Sequence, residues 1–242
     1  MKLFAPTLLA ACVPSACLAV VYNEWAFVVP PTGLSDISFP FNVANAPHRR
    51  GFYFAQQFNF QNISSVCYTG LQPQVDDNGK SVIRGVFSSF QDGTTTSHPN
   101  CSPGADGGPG VSCGLIFPAD YSHTFNMVVE NTGGTTWRGS AVDTVTNVAT
   151  EIGVWTLPSE AGGILGSQGG FIEYFLWNDG RSHDCSTLPF TEVTIFNPTS
   201  KTTGASGGTI TSVYEQPGDC VTMVNFSDTL VPGGHDIKVG FS

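Results

Sequence analysis

The stretch Gly51-Phe-Tyr-Phe-Ala-Gln-Gln-Phe-Asn-Phe60 decides the fold class, because its side chains alternate with a period of two. Phe52, Phe54, Phe58 and Phe60 fall on one face of an extended chain. The other face carries Tyr53, Ala55, Gln57 and Asn59. Successive side chains of a β-strand point to opposite faces of its sheet. The stretch therefore predicts a half-buried strand.

Similar segments recur along the chain, separated by turn sequences such as Asp77-Asn-Gly79 and Pro232-Gly-Gly234. They predict further strands at 24–29, 35–43, 67–72, 81–90, 123–131, 136–142, 149–157, 171–177, 192–196, 209–214, 221–226 and 236–241. The Gly-rich segments 101–113 and 201–208 are predicted to be loops. No long stretch has a helical period, so we expect an all-β protein with one jelly-roll-like β-sandwich.

Composition excludes two classes of protein. The chain is 40% hydrophobic and only 12% charged, the opposite of a disordered chain. Nine Lys and Arg residues against nineteen Asp and Glu residues give a net charge of −10. A nucleic-acid partner needs a clustered basic face, which nine scattered cations do not form.

Residues 1–19 have the pattern of a signal peptide. Lys2 supplies a positive charge, an apolar run follows, and Cys17-Leu-Ala19 places small residues at a cleavage site. Residues 20–242 are then a single secreted domain. No later segment is apolar enough to span a membrane, so we expect an extracellular protein, located in the host apoplast if its source is a plant-associated fungus.

Five cysteines remain after residue 19, and an oxidising compartment favours pairing of an even number of them. We predict disulfides Cys101–Cys113, which brackets a Gly/Pro-rich segment, and Cys185–Cys220, whose cysteines each follow an aspartate. Cys67 lies in a strand-like run and is predicted to be a buried free thiol.

Three sequons fit the acceptor pattern for N-glycosylation: Asn62-Ile-Ser64, Asn100-Cys-Ser102 and Asn225-Phe-Ser227. In a secreted protein we expect two of the three to be used. Asn100 is the weakest, because the neighbouring Cys101 is expected to enter a disulfide first.

The segments Phe52–Phe60, Tyr68–Gln72 and Val86–Ser89 resemble the opening of an uncharacterised family of secreted bacterial and fungal domains, domain of unknown function number three-four-seven-two. The likeness extends over roughly residues 50–178, through 101–113, 137–139, Asp143, 152–153 and 171–175. It implies a sandwich like those of lectins and carbohydrate-binding modules, and it supplies no catalytic residue. The single-domain form is similar to small secreted fungal proteins, some of which induce cell death in plants.

Four acidic residues on predicted strands are candidates for glycosidase chemistry, which needs two facing carboxyl groups: Glu130, Asp143, Glu151 and Glu173. Four acids on one sandwich are equally typical of rim charges, so no catalytic residue is assigned. The histidines and cysteines lack metal-ligand spacing, and neither a metal nor a cofactor is expected.

Aromatic and amide side chains are the candidates for ligand binding, because sugar rings stack on flat aromatic faces and amides pair with hydroxyl groups. The aromatic candidates are Trp137, Trp155, Tyr174 and Trp177. The amide candidates are Gln56, Gln57 and Gln72. The alternative is that the aromatic rings build the core.

The similarity to small secreted fungal proteins implies an effector or elicitor recognised at a plant host surface. Together with the absence of a nucleophile, metal or cofactor signature, it leads to the functional prediction of a monomeric, non-enzymatic protein of this kind. Its partner would be a host cell-surface receptor or a cell-wall polysaccharide, without nucleic acid. The alternative is a secreted carbohydrate-active enzyme that uses glutamate or aspartate residues on the sandwich.

Overall fold

The computed structural model describes residues 19–179, 181 and 183–242. The predicted signal peptide, with Cys12 and Cys17, lies outside the described residues except for Ala19, where the first strand begins. Within the described part, no helix is long and apolar enough to cross a membrane.

Fifteen strands account for most of the described chain. They are β1 (Ala19–Val28), β2 (Asp36–Asn42), β3 (Phe52–Phe58), β4 (Cys67–Pro73), β5 (Val82–Ser89), β6 (Cys101–Ala105), β7 (Gly108–Pro118), β8 (Thr124–Gly133), β9 (Thr136–Asp143), β10 (Ala149–Thr156), β11 (Ser167–Tyr174), β12 (Thr191–Phe196), β13 (Ser206–Glu215), β14 (Ser227–Val231) and β15 (Gly234–Val239). Two short 3-10 turns cover Phe175–Trp177 and Cys185–Thr187.

The strands form two antiparallel sheets, which confirms the predicted β-sandwich. The eight-stranded sheet has the order β13-β1-β11-β3-β4-β5-β7-β6, and the seven-stranded sheet has the order β10-β9-β8-β2-β12-β15-β14. Neighbours in space are often distant in sequence, as where β1 lies between β11 and β13. The sandwich is therefore held together largely by long-range pairing.

The phenylalanines of the deciding stretch lie in the core, as their alternation predicts. Phe54, Phe58 and Phe60 are completely buried. The Phe60 ring lies 4.6 Å from the ring of Trp137, which belongs to the opposite sheet. Aromatic rings from both sheets thus fill the space between them and supply much of the hydrophobic stabilisation.

Three segments differ from the predictions. The predicted loop 101–113 is most of a β-hairpin formed by β6 and β7, in which Cys101 lies directly opposite Cys113. The predicted strand 221–226 consists of turns and bends, with Thr222 and Asn225 at φ of 65° and 52°, values that an extended strand does not have. The exposed strand β14 follows directly at Ser227–Val231 and was not predicted.

The cysteines have the arrangement expected from the sequence. Cys101 is bonded to Cys113 and Cys185 to Cys220, while Cys67 is a buried free thiol. Burial raises the pKa of Cys67 to about 12, which keeps the thiol protonated and unreactive. Two disulfides fit an oxidising, extracellular compartment.

Candidate active site

The outer face of the eight-stranded sheet presents its side chains in parallel rows that cross the strands. One row, here called the Glu173 row, begins on β11 with Glu173, which lies opposite Tyr53 of β3. It continues through Gln72 of β4, which lies opposite Arg84 of β5. Residues opposite each other in antiparallel strands have their side chains on the same face. The row therefore places one acid and one base on a common surface.

A second row, the middle row, runs beside the first and has little side-chain bulk. Ala55 lies opposite Gly70 of β4, Gly70 opposite Val86 of β5, and Val86 opposite Gly114 of β7. Phe171 of β11 closes the row at one end, because it lies opposite Ala55. Small residues between bulkier rows form a shallow trough that crosses the strands. At its β11 end the rings of Tyr53, Tyr68 and Phe171 pack on one another, and Ala55 and Val86 are buried in the same cluster.

A third row, the Tyr68 row, borders the other side of the trough. It passes from Gln57 to Tyr68, Ser88 and Ser112. The Tyr68 hydroxyl donates a hydrogen bond of 2.9 Å to Oδ2 of Asp106, which lies in the turn between β6 and β7. The hairpin turn is thereby attached to the edge of the trough.

Part of the trough deepens into a cavity of about 230 Å³, here called the Glu173 cleft. Its lining combines aromatic, charged and amide side chains, namely Arg50, Tyr53, Tyr68, Gln72, Arg84, Val86, Asp106, Ser112, Phe171, Glu173, Phe175 and Asn178. A site that mixes apolar walls with a few convergent polar groups is typical of small-molecule and substrate sites.

Glu173 is the one buried charged side chain among the described residues, with 4% of its surface exposed. Oε1 of its carboxyl group accepts a hydrogen bond of 2.5 Å from Nδ2 of Asn178, which follows the 3-10 turn after β11. Removing a carboxyl group from water is costly unless it is hydrogen-bonded. The cleft therefore holds a shielded acid in a fixed orientation.

Arg84 lies at the far side of the cleft and is held in place by two contacts. Its Nη1 donates a hydrogen bond of 3.1 Å to Oε1 of Gln72. Its guanidinium group covers Gly114, where a Cβ atom would lie 2.6 Å from Nη2. A larger residue at position 114 would displace the guanidinium group from the floor of the trough.

The other three predicted acids lie on the opposite sheet, away from Glu173. Glu130 of β8 and Glu151 of β10 flank Arg138 of β9, with contacts of 2.9 Å and 3.8 Å to its guanidinium nitrogens. Nε2 of His98 lies 2.9 Å from Oε1 of Glu151. The structure thus uses these two acids in a surface ion-pair network, and it does not bring them together with Glu173.

Asp143 lies at the end of β9 and contacts His123, whose Nδ1 is 2.9 Å from Oδ2 of the aspartate. This hydrogen bond, with the charges of Asp143 and Asp120, raises the pKa of His123 against the opposing effect of desolvation. Desolvation also raises the pKa of Asp143, but hydrogen bonds from His123 and from the backbone of Val145 and Thr146 outweigh it and lower this pKa to about 2. Asp143 is a carboxylate fixed by a histidine, remote from the cleft.

The predicted aromatic residues are largely core residues. Trp137 and Trp155 are almost completely buried between the sheets, and Trp155 stacks on Phe87 at 4.4 Å. Trp177 is also buried, stacked on the ring of His183 at 5.1 Å, and Tyr174 contacts Trp177 edge-on at 5.5 Å. These rings fill space inside the protein, so they do not form a platform for a ligand.

The three predicted glutamines occupy different environments. Gln56 is buried in the core, where it exchanges two hydrogen bonds of 3.2 Å with Asn23. Gln57 is half-buried in the Tyr68 row, outside the cleft. Gln72 lines the cleft and positions Arg84.

Of the predicted site residues, the structure therefore brings Glu173 and Gln72 to one cavity. Sequence reasoning missed Tyr53, Arg84 and Asn178. The sequence contained a signal for Tyr53, because this residue alternates with the buried phenylalanines and so falls on the outer face of β3. Their grouping depends on strand pairing over long distances in sequence, which the alternation alone does not give.

Glycosylation and metal binding add little to the site. Asn62 and Asn225 are exposed and Asn100 is half-buried, and the use of the three sequons stays a prediction. In the part of the chain that the structure describes, no three His, Cys, Asp or Glu side chains are grouped so that they could hold a metal ion.

Comparison with known proteins finds similar structures but no similar sequence. No family model matches the chain, and no curated protein matches it. The resemblance to the uncharacterised secreted family therefore stays a prediction.

Three similar solved structures are peptidases. Two are crystal structures of scytalido-glutamic peptidase, one with a peptide-based transition state analogue at 12% identity and one with a transition state analogue inhibitor at 10% identity, each with a TM-score of 0.47. A third is SCP-B, a member of the eqolisin family of peptidases, in complex with the tripeptide Ala-Ile-His, at 11% identity and a TM-score of 0.45. Each match covers 93% of this chain and 98% of the other.

The prediction of a non-enzymatic effector or elicitor is wrong against this comparison, because three solved structures that match the chain are peptidases. That prediction depended on the absence of a recognisable catalytic motif in the sequence. A catalytic group that is assembled from distant strands leaves no such motif. At identities of 10–12% the likeness concerns the two-sheet arrangement, and no residue role is transferred from it.

Proposed function

We propose that this chain is a hydrolase that cleaves amide bonds in an extended polypeptide, with Glu173 as its general acid–base group. The observation that carries the proposal is the burial of Glu173 in a trough that opens to solvent on the outer face of the eight-stranded sheet. A buried carboxyl group costs stability, and such groups are concentrated at functional sites.

The shape of the trough supports an extended polymer as the substrate. The middle row crosses five strands, from Phe171 on β11 to Gly114 on β7. Four strand spacings of about 4.8 Å give about 19 Å, the length of about six residues of extended polypeptide. Because the rings of Tyr53, Tyr68 and Phe171 pack on one another over Ala55, the substrate chain would lie on these rings at the β11 end of the trough.

The single shielded acid favours an amide over a glycosidic bond. Glycosidases of the common type use two facing carboxyl groups on either side of the bond. The other carboxylate that lines the Glu173 cleft, Asp106, is exposed and accepts the hydrogen bond of Tyr68. Hydrolysis of an amide needs one group that first accepts a proton and then returns it.

The proposed reaction follows from this requirement. The ionised Glu173 carboxylate accepts a proton from a water molecule, and the water oxygen forms a bond to the carbonyl carbon of the substrate. The protonated Glu173 then returns the proton to the amide nitrogen, the C–N bond breaks, and an amine and a carboxylic acid leave. Asn178 holds the carboxyl group throughout.

The test is hydrolysis of an unfolded protein in H₂¹⁸O over pH 3 to 7. We expect new peptides whose C-terminal carboxyl groups carry ¹⁸O, detected by mass spectrometry. Glu173→Gln removes the group that accepts the proton and keeps nearly the same volume. We expect it to lower the rate at least about a thousandfold, within the range of general acid–base contributions.

Glu130→Gln is the matched control, since it makes the same change on the outer face of the other sheet. We expect this variant to retain the rate of the wild type. Absence of ¹⁸O-labelled peptides from the folded wild type, or full activity of folded Glu173→Gln, would overturn the proposal.

A further inference from the structure

One of the two arginines that line the cleft lies at a fixed place relative to Glu173. Arg84 belongs to the same row, separated from Glu173 by the strands of Tyr53 and Gln72. Three strand spacings of about 4.8 Å put the two strands about 14 Å apart. An extended polypeptide covers this distance in about four residues.

The guanidinium group of Arg84 is oriented but not neutralised. Gln72 accepts one of its hydrogen bonds, and Gly114 leaves the space that its plane occupies. Among the described residues, no ion pair involves Arg84, whereas Arg138 on the other sheet contacts two glutamates. Asp106, an acid of the same lining, accepts a hydrogen bond from the Tyr68 hydroxyl. Arg84 thus keeps most of its donors available to a ligand.

A carboxylate is the chemical group that complements an arginine side chain with unused hydrogen-bond donors. The planar guanidinium group binds a carboxylate through two parallel hydrogen bonds, and partial burial strengthens such contacts. The chain as a whole carries a charge of −10, so acidic ligands are repelled elsewhere on its surface. A local cation in the trough therefore has a large effect on which substrates are accepted.

We propose that Arg84 determines specificity by binding the carboxylate of an aspartate or glutamate side chain of the substrate, about four residues from the bond that Glu173 cleaves. The proposal rests on the proposed peptide hydrolysis and names the substrate class of the same site. Gln72 acts as a positioning residue, because it accepts a hydrogen bond from the guanidinium group, and Gly114 leaves the space that this group occupies.

The experiment uses two peptide libraries that differ only in whether one position carries glutamate or its neutral isostere glutamine. The position is moved from one to six residues away from the cleaved bond, on each side. For the wild type we expect kcat/KM to favour glutamate by about ten- to a hundredfold, the effect of a hydrogen bond to a charged group. We expect this preference to peak about four residues from the bond, on one side.

Arg84→Gln tests the assignment to this residue. We expect the ratio of kcat/KM for glutamate over glutamine to fall to about one. Lys80→Gln is the control, because it removes one positive charge from an exposed turn outside the cleft. It should leave the ratio unchanged. Arg84→Glu should reverse the preference and favour lysine at the same position.

The outcomes separate the two proposals. If neither library is cleaved, the proposed peptide hydrolysis fails. If peptides are cleaved but the wild type does not distinguish glutamate from glutamine, or if folded Arg84→Gln keeps the preference, the inference about Arg84 is wrong and the proposed function stands. A wild-type preference that is absent, or that peaks away from about four residues from the bond, contradicts the inference about Arg84 even if the variants do not fold.

Discussion

The two outer faces of the sandwich both carry glutamates, yet they hold them in opposite ways. On the seven-stranded sheet, Glu130 and Glu151 lie at the surface and contact Arg138. On the eight-stranded sheet, Glu173 is buried and hydrogen-bonded by the neutral Asn178, while Arg84 lies three strands away. Surface ion pairs contribute little to stability. An acid that is shielded from water and held in one orientation is suited to proton transfer. The difference teaches that the environment of an acid, and not its residue type, marks the functional face.

The same comparison explains why the glutamate of the cleft was not singled out from sequence. Glu130, Glu151 and Glu173 each follow the alternation of a strand and are equivalent by pattern. Only pairing with β3 places Tyr53 beside Glu173, and only pairing with β9 places Arg138 beside Glu130. Four predictions test how far the two faces differ.

The largest expected effects concern the two disulfides, of which Cys101–Cys113 lies at the border of the cleft face. Replacing Cys101 and Cys113 by serine releases the hairpin of β6 and β7, whose turn carries Asp106. The closed segment has a sequence separation of 12, so the free energy of unfolding should fall by about 3 kcal/mol. We also expect KM for cleaved peptides to rise. Urea denaturation and steady-state kinetics measure the two effects.

The second disulfide is the control for this experiment. Replacing Cys185 and Cys220, which have a sequence separation of 35, should lower the free energy of unfolding by about 4 kcal/mol. Neither cysteine lines the Glu173 cleft, so KM should stay unchanged. Equal changes of KM in the two folded variants would show that the hairpin has no special relation to the cleft.

The second prediction concerns the amide that holds Glu173. Asn178→Ala removes the donor to Oε1, and the carboxyl group should lose its fixed orientation. We expect kcat to fall about tenfold, with little change in KM, because the substrate trough itself is intact. Asn126→Ala makes the same change at a half-buried position of β8 on the opposite sheet and should leave kcat unaffected. An increase in KM alone would contradict a role in orienting the acid.

The strands are where sequence reasoning succeeded, since period-two alternation depends only on neighbouring residues. It failed at Val221–Phe226, where the residues are typical of a strand but Thr222 and Asn225 adopt positive φ. It also failed at 101–113, where glycine and proline suggested a loop and pairing with β5 produced a strand. In both segments tertiary contacts override local preference. The cleft residues come from β3, β4, β5, β7, β11 and the segments that connect strands, and no local pattern specifies that combination.

The third prediction concerns the ion-pair network of the opposite face. Arg138→Gln removes the cation between Glu130 and Glu151, all of which are well exposed to solvent. Exposed pairs of this kind contribute less than about 1 kcal/mol, so the free energy of unfolding should change by no more than that. The rate of peptide hydrolysis should be unchanged. A loss of activity in this folded variant would show that the catalytic residues lie on the seven-stranded sheet, which would contradict the proposal for Glu173.

The smallest effect is a dependence of stability on pH at the end of β9, where His123 contacts Asp143. The raised pKa of His123 means that its stabilising effect is complete below about pH 6.5 and is lost as pH rises through the raised value. The pKa of Asp143, lowered to about 2, means that its effect is complete above about pH 4 and is lost as pH falls towards 2. The contact should therefore stabilise the fold most between about pH 4 and 6.5. A double-mutant cycle of His123→Asn and Asp143→Asn, measured by denaturation at pH 5 and 8.5, should give a coupling at pH 5 that shrinks at pH 8.5. A coupling that is larger at pH 8.5 would show that the histidine is not held as a cation by this carboxylate.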